Sequence, residues 1–351
     1  MALTHWYYLL LPLVVFAVMS LLRFRGCRFD PGSVGTPDQY GTTVKGDGPI
    51  AWFRLEEAPG ATTAANAAGT PNGTYGTAPS PLSAGNASWQ SPGVTSTSLT
   101  LGIKNPDLVP EESQDPYDFS IRVEGAYVQV PADATSLQNL TEFTVEGLVY
   151  PDWDTTVLGN YYCVLELAAL IPPPTPLQPA TLKSQGFGLY AGPSDPTNLN
   201  SSYSWQVWMG NGTSFQLLQP MPFTNDPGNS NPNPGPNVEQ GQVTYLAFTY
   251  SKSQGQAFLY LYTSDRDLDY VAYQLNVNPY TPVTSATNTQ GMHIGLTAEG
   301  PLFDPTPPAV VPFLYPFIGQ MCNIAVYNKV LTQDTLRNHA TVAFYVNSPS
   351  T

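Results

Sequence analysis

The chain has 351 residues, of which 42% are hydrophobic, 12% aromatic and only 11% charged, with a formal net charge of −14 and 12 Lys+Arg in all. That apolar content supplies a core and argues against a disordered chain. The shortage of basic residues excludes a phosphate-tracking nucleic-acid surface, which needs a basic stripe.

Taken from the N-terminus, the first feature is an uncharged apolar run, WYYLLLPLVVFAVMSLL (Trp6–Leu22). It sits at the short end of the about 17 to 25 residues that span a bilayer as a helix. MALTH before it lacks the positive charge of a secretory leader, and RFRGC after it offers no small-residue cleavage site. Residues 1–25 are therefore expected to be a transmembrane-type anchor. The arginines at 23, 25 and 28 would by themselves favour a cytoplasmic body. The weakly charged, acidic composition favours an extracellular or cell-surface one, and that orientation is preferred.

Residues 26–48 are polar and turn-rich and read as a linker. From 49 onward, short runs of β-branched, aromatic and alternating residues recur: IAWFRL, AYVQV, FTVEGLVY, YYCVLEL, GFGLYA, YSWQVWM, QVTYLAFTY, AFLYLYT, YVAYQLNV, HIGLTA and NIAVY, each bounded by turn residues. No long apolar stripe of helical period separates them, which disfavours a parallel sheet with crossover helices. The pattern predicts one all-β antiparallel sandwich over 49–351. Three proline-rich stretches, starting at Ile171, Gln219 and Phe303, cannot be central strands and are expected to cover sheet edges. The chain closes on GQMCNIAVYNKVLTQDTLRNHA, a strand, a turn at Asn328 and a short helix capped by Thr332.

Four segments in order carry a family resemblance: GPIAWFRLEEAPGATTAANAAGTPNGTYG (Gly48–Gly76), IRVEGAYVQVP with LTEFTVEGLVYP (Ile121–Pro151), the stretch from GFGLYAG to YLYTSD (Gly186–Asp265), and the closing stretch. Together they resemble the laminin G-like branch of the concanavalin A-like lectin and glucanase superfamily. The resemblance implies a two-sheet jelly roll with a short C-terminal helix. Family members often place Asp-x-x-Gly after the first strand and Ile-Asp-Glu in the last, acids that can help hold calcium. Here the loop reads NAAG (Asn66–Gly69) and the strand MCN (Met321–Asn323). Hard cations want several carboxylate or carbonyl oxygens, so no cofactor is expected, calcium being the one the resemblance would admit.

For chemistry, glycoside cleavage needs two carboxyl groups facing one bond. Asp265, Asp267 and Asp269 alternate but read as a solvated turn, and Glu56 and Glu57 are adjacent, so a strand would point them to opposite faces. His5, His293 and His339 are far apart in sequence, and no nucleophile elbow, HExxH or phosphate loop is present. An enzyme is not expected. Aromatic residues suit sugar recognition better. Alternation puts Trp208 on one face of its strand and Tyr260 with Tyr262 on one face of theirs, opposite Leu259 and Leu261. Trp208, Tyr260 and Tyr262 are the candidate ligand-binding residues, with the alternative that they form a small second core. Cys163 and Cys322 are either a disulfide or two buried thiols. The sequence thus predicts a non-catalytic, surface-displayed module binding carbohydrate or a surface protein. The rival readings are a self-associating structural subunit of an extracellular assembly and, less favoured, a glycoside hydrolase.

Overall fold

The computed structural model describes residues 39–77, 98–104, 119–124, 126–153, 161–170, 183–195, 202–218, 236–263, 266–273, 280–288, 291–297 and 315–344. The expected membrane segment and the proline-rich stretch from Ile171 lie outside them, as do all but residues 236–237 and 315–316 of the other two proline-rich stretches. No helix among the described residues is long and apolar enough to cross a membrane.

After helix α1 (Gln39–Gly46) come the strands β1 (Ala51–Phe53), β2 (Thr63–Ala64), β3 (Gly73–Thr77), β4 (Ser98–Lys104), β5 (Phe119–Glu124), β6 (Ala126–Val130), β7 (Glu142–Pro151) and β8 (Tyr162–Leu170). They are followed by β9 (Lys183–Pro193), β10 (Tyr203–Gly210), β11 (Phe215–Leu217), β12 (Thr244–Ser251), β13 (Gln256–Thr263), β14 (Arg266–Ala272), β15 (Met292–Ile294), β16 (Ile318–Tyr327) and helix α2 (Gln333–Phe344). They form two antiparallel sheets. The first runs β14-β13-β12-β7-β16-β5-β4, with β1 also on β16; the second runs β11-β10-β9-β8-β15-β6-β3-β2. The chain is therefore an all-β antiparallel two-sheet sandwich, as the alternation predicted.

Period-2 alternation builds the core between the sheets. In β7, Phe143, Val145 and Val149 point inward, and in β10 Tyr203, Trp205, Val207 and Met209 do the same. The two layers are tied where Phe143 of the first sheet stacks on Phe187 of the second with ring centroids 4.4 Å apart. Such a pair adds about 0.5–1.5 kcal/mol beyond its area burial.

A second core lies outside the first sheet, where Leu148, Tyr245, Tyr260, Tyr262, Ala325 and Tyr327 meet the two helices. Helix α2 presents Leu336, His339, Ala340, Ala343 and Phe344, a stripe of helical period. Its start matches expectation: the Thr335 amide donates to Thr332 Oγ1 at 3.2 Å, and Asp334 sits in the first turn. Helix α1 is a correction, because composition put residues 39–48 in the linker. Tyr40 and Val44, one turn apart, are buried in the second core, and the chain leaves the helix through Gly48 in the left-handed region at φ 69°.

One further expectation is corrected, and the open alternatives for the cysteines and the aromatic candidates are decided. Asp267 and Asp269 stand exposed on β14 rather than in a turn, while Asp265 lies outside the described residues. Cys163 is in the second sheet and Cys322 in the first, both buried, and no disulfide joins them. The aromatic candidates are divided likewise: Trp208 is on β10 of the second sheet, and Tyr260 and Tyr262 are on β13 of the first.

Candidate functional site

The outer face of the second sheet carries a continuous cross-strand row. Register places Thr74 opposite Gln129, Gln129 opposite His293, His293 opposite Glu166, Glu166 opposite Gly188, and Gly188 opposite Trp208. At about 4.8 Å per strand these five steps span about 24 Å. The row changes character along its length. Thr74 and Gln129 are exposed and Tyr127 is half-buried, whereas His293, Glu166 and Trp208 are buried. It is an open lip leading to a closed polar end.

Glu166 reaches this face through an irregularity. Strict alternation from Cys163 would turn it inward with Tyr162 and Val164, but the register shifts between Cys163 and Leu165. The bulge re-aims the residues that follow, which is a common use of an extra strand residue. Once outward, the Glu166 carboxylate accepts Thr297 Oγ1–H at 2.7 Å and the Tyr190 hydroxyl.

Three tyrosine rings are laid down on glycines of this face. A Cβ built on Gly76 would lie 2.5 Å from the Tyr127 ring, one on Gly188 2.5 Å from Tyr190, and one on Gly192 2.5 Å from Tyr161. Any other residue would lift the ring, so the glycines let each tyrosine lie against the sheet. Tyr127 meets His293 edge-on, with centroids 6.1 Å apart. At the far end the Trp208 indole N–H donates to Gln206 Oε1 at 3.1 Å, and Gln206 Nε2 donates to the Pro193 carbonyl at 2.7 Å. Trp208 packs there with Tyr161, Tyr190, Leu217 and Tyr315. Burial, with Tyr315 and Tyr203 nearby, holds the Tyr161 phenol well above its ordinary value, so it stays neutral. The face offers flat aromatic surface, an amide, hydroxyls and one carboxylate.

A second polar cluster lies under the helices on the outer face of the first sheet. Glu146, in the middle of β7 and fully buried, accepts the Tyr327 hydroxyl at 2.6 Å and the Tyr245 hydroxyl. His339 Nδ1 is 3.0 Å from both Glu146 oxygens, and its Nε2 is 3.0 Å from Asp47 Oδ2. Burial followed by the Glu146 carboxylate pushes the Tyr327 and Tyr245 phenols up. Glu146 and His339 are fully buried in this cluster, and of its two acids only Asp47 is partly exposed.

Of the residues singled out from sequence, Trp208 lies in the first of these settings. Tyr260 and Tyr262 belong to the helix-covered core, where Tyr262 packs on Phe344 with centroids 5.1 Å apart. Tyr260 continues into an aromatic trio with Phe258 and the exposed Tyr270. Sequence reasoning passed over Tyr127, Gln129, Glu146 and Glu166. A lone carboxylate inside an apolar strand, as in FTVEGLVY and YCVLELAAL, is the signal that marks the two acids. Asn66 holds its loop, its Oδ1 accepting the Trp52 and Ala68 amides at 2.9 and 3.1 Å. Among the described residues no three His, Cys, Asp or Glu side chains gather as a metal site.

No family model and no curated protein matches this chain. Solved structures similar to it include a heptameric SAP-like pentraxin from Limulus polyphemus, at 14% identity and a TM-score of 0.32, covering 59% of this chain and 71% of that one. Another is the CBM40 of a Ruminococcus gnavus sialidase bound to α2,3-sialyllactose, at 14% identity and a TM-score of 0.36, covering 58% and 85%. A Trypanosoma rangeli sialidase matches at 12% identity and a TM-score of 0.43, covering 97% of this chain but only 40% of its own. Likeness this distant carries no argument about family, ligand or activity.

Proposed function

We propose that the chain is a non-catalytic, surface-displayed carbohydrate-binding module, with its sugar site on the outer face of the second sheet and its entrance at Thr74, Tyr127 and Gln129. The observation that carries this reading is the open end of the cross-strand row, where a tyrosine ring laid over Gly76 sits beside an exposed amide and hydroxyl. A pyranose shows an apolar C–H face and a rim of hydroxyls. The Tyr127 ring receives the face, while the Gln129 amide and Thr74 hydroxyl bond the rim, each such bond contributing about 0.5–1.5 kcal/mol net. A few contacts of this size give weak binding, strengthened by multivalent display.

Cleavage is disfavoured on geometry. Glycosidases hold two carboxyl groups about 5 to 10 Å apart across one bond. The cross-strand row contains one, Glu166, already engaged by two hydroxyls, and Glu146 belongs to the other sheet. Display outside the cell is inferred from the apolar run at Trp6–Leu22 and the weakly charged, acidic composition.

The test is a glycan-array screen of the full chain, followed by titration of the best hits against Tyr127→Ala and Gln129→Ala. Each substitution is expected to weaken binding about tenfold, the loss of about 1.4 kcal/mol, while Tyr270→Ala on the other sheet leaves it unchanged. Glycan binding that survives both substitutions would overturn the assignment of the site.

A further inference from the structure

His339 is a buried imidazole with a carboxylate against each ring nitrogen: Glu146 at 3.0 Å from Nδ1 and Asp47 at 3.0 Å from Nε2. A neutral imidazole has one N–H. Two carboxylates therefore ask for the doubly protonated ring, which donates to both. The partners come from different parts of the chain. Glu146 is on β7, fixed in the sheet by the Tyr245 and Tyr327 hydroxyls, and His339 is on α2. Asp47 directly follows α1, with its amide bonded back to the Thr43 carbonyl at 3.3 Å. One imidazolium thus ties α1, α2 and the first sheet together.

We propose that the Asp47–His339–Glu146 chain is a proton-operated latch, which fastens α1 across the outer face of the first sheet and loosens it when the imidazole loses a proton. The groups facing His339 are few. Helix α1 contributes Tyr40, edge-on with centroids 6.5 Å apart, and β16 contributes Tyr327 at 6.4 Å. Besides Glu146 and Asp47, Tyr245 reaches it through Glu146, and Lys329 lies 3.9 Å from the far Asp47 oxygen.

When one proton leaves, one nitrogen turns a lone pair toward a carboxylate oxygen at hydrogen-bond distance, and that contact becomes repulsive. Glu146 is fully buried and keeps the remaining N–H. Asp47 is partly exposed and has water and Lys329 as alternatives, so its contact is the one that opens. Burial opposes the charged ring, but the two carboxylates outweigh it and hold His339 above its ordinary value. The latch is therefore fully closed below the unfolded-state value near 6.5, and its contribution is lost as pH rises through the higher folded-state value. Loosening frees the end of α1 and uncovers the strip beneath it.

Amide hydrogen exchange of 39–46 in the full chain, corrected for intrinsic rates, reads the opening of α1 between pH 6 and pH 10, with 15N shifts of His339 read alongside. Both ring nitrogens are expected to be protonated at pH 6, with the opening constant rising about tenfold per pH unit through the titration. Asp47→Asn, a partly exposed change that the fold should tolerate, is expected to move the His339 titration down by about one pH unit or more and to raise opening already at pH 6. Exchange of α1 that is flat across the range, an unprotonated ring nitrogen at pH 6, or an unchanged profile in Asp47→Asn would each overturn the latch.

Discussion

Replacing Gly188 by Ala tests whether the glycines under the tyrosines are what shape the outer face of the second sheet. Gly188 lies within β9 and its φ is not positive, so the backbone accepts Ala without strain. At an open site the change would stabilise the protein by about 0.4–1 kcal/mol, through the entropy of the unfolded chain. Here the new Cβ would lie 2.5 Å from Tyr190 Cε2, 3.2 Å from Cζ and 3.3 Å from the hydroxyl oxygen, against the about 3.5–4.0 Å that carbon pairs prefer. The ring must rise by about 1 Å, a shift derived from that preferred spacing. Tyr190 is fully buried and bonded through its hydroxyl to Glu166, so the movement costs packing and loosens that bond. Overpacking contributes about 1–3 kcal/mol, and a weakened hydrogen bond to a charged group about 1.5–3 kcal/mol. After the entropic gain the net loss is about 2–5 kcal/mol, read as a fall in the urea midpoint at constant slope. In a Tyr190→Ala background the same substitution should be neutral or stabilising, because the ring it collides with is gone. A Gly188→Ala protein as stable as the parent would refute the account of how this face is built.

The remaining predictions concern the first sheet. Glu146→Gln removes the buried charge that His339 and two tyrosine hydroxyls face, and should cost about 3–5 kcal/mol as a broken buried pair. Because His339 sits above its ordinary value, that penalty should be largest near pH 6 and shrink as pH rises, measured by urea unfolding at each pH. Thr144→Val deletes the hydroxyl that donates to the Lys329 carbonyl at 2.9 Å and accepts the Leu331 amide at 2.9 Å. It should cost about 1–3 kcal/mol and raise amide exchange at Leu331, where the turn enters α2.

How far sequence could reach depended on whether the signal was local. The longer strands announce themselves, since Tyr203, Trp205, Val207 and Met209 of β10 and Leu259 and Leu261 of β13 fall on the inner face as strict alternation requires. Alternation assigns faces within a strand but does not say which sheet the strand joins. Trp208 was therefore grouped with Tyr260 and Tyr262 although the sheets separate them. Glu166 was hidden by the bulge after Cys163, which reverses its face. Helix α1 was hidden because QYGTTVKG is poor helix material, with two glycines and three β-branched residues. What makes it a helix is the docking of Tyr40 and Val44 on the sheet. Two of the four strands of two or three residues, β2 and β11, exist only by pairing with neighbours. His339 was legible as part of a terminal helix, which runs on to Phe344, but its partners at 47 and 146 are far away in sequence.

The most direct test of the carbohydrate-binding reading is a chemical-shift map of the protein titrated with an oligosaccharide selected from the array. The amide and side-chain signals of Thr74, Gly76, Tyr127, Gln129 and His293 are expected to shift together and saturate with one dissociation constant, while those of Phe258, Tyr260 and Tyr270 stay in place. Shifts centred on the outer face of the first sheet, or confined to loops away from Tyr127, would contradict it.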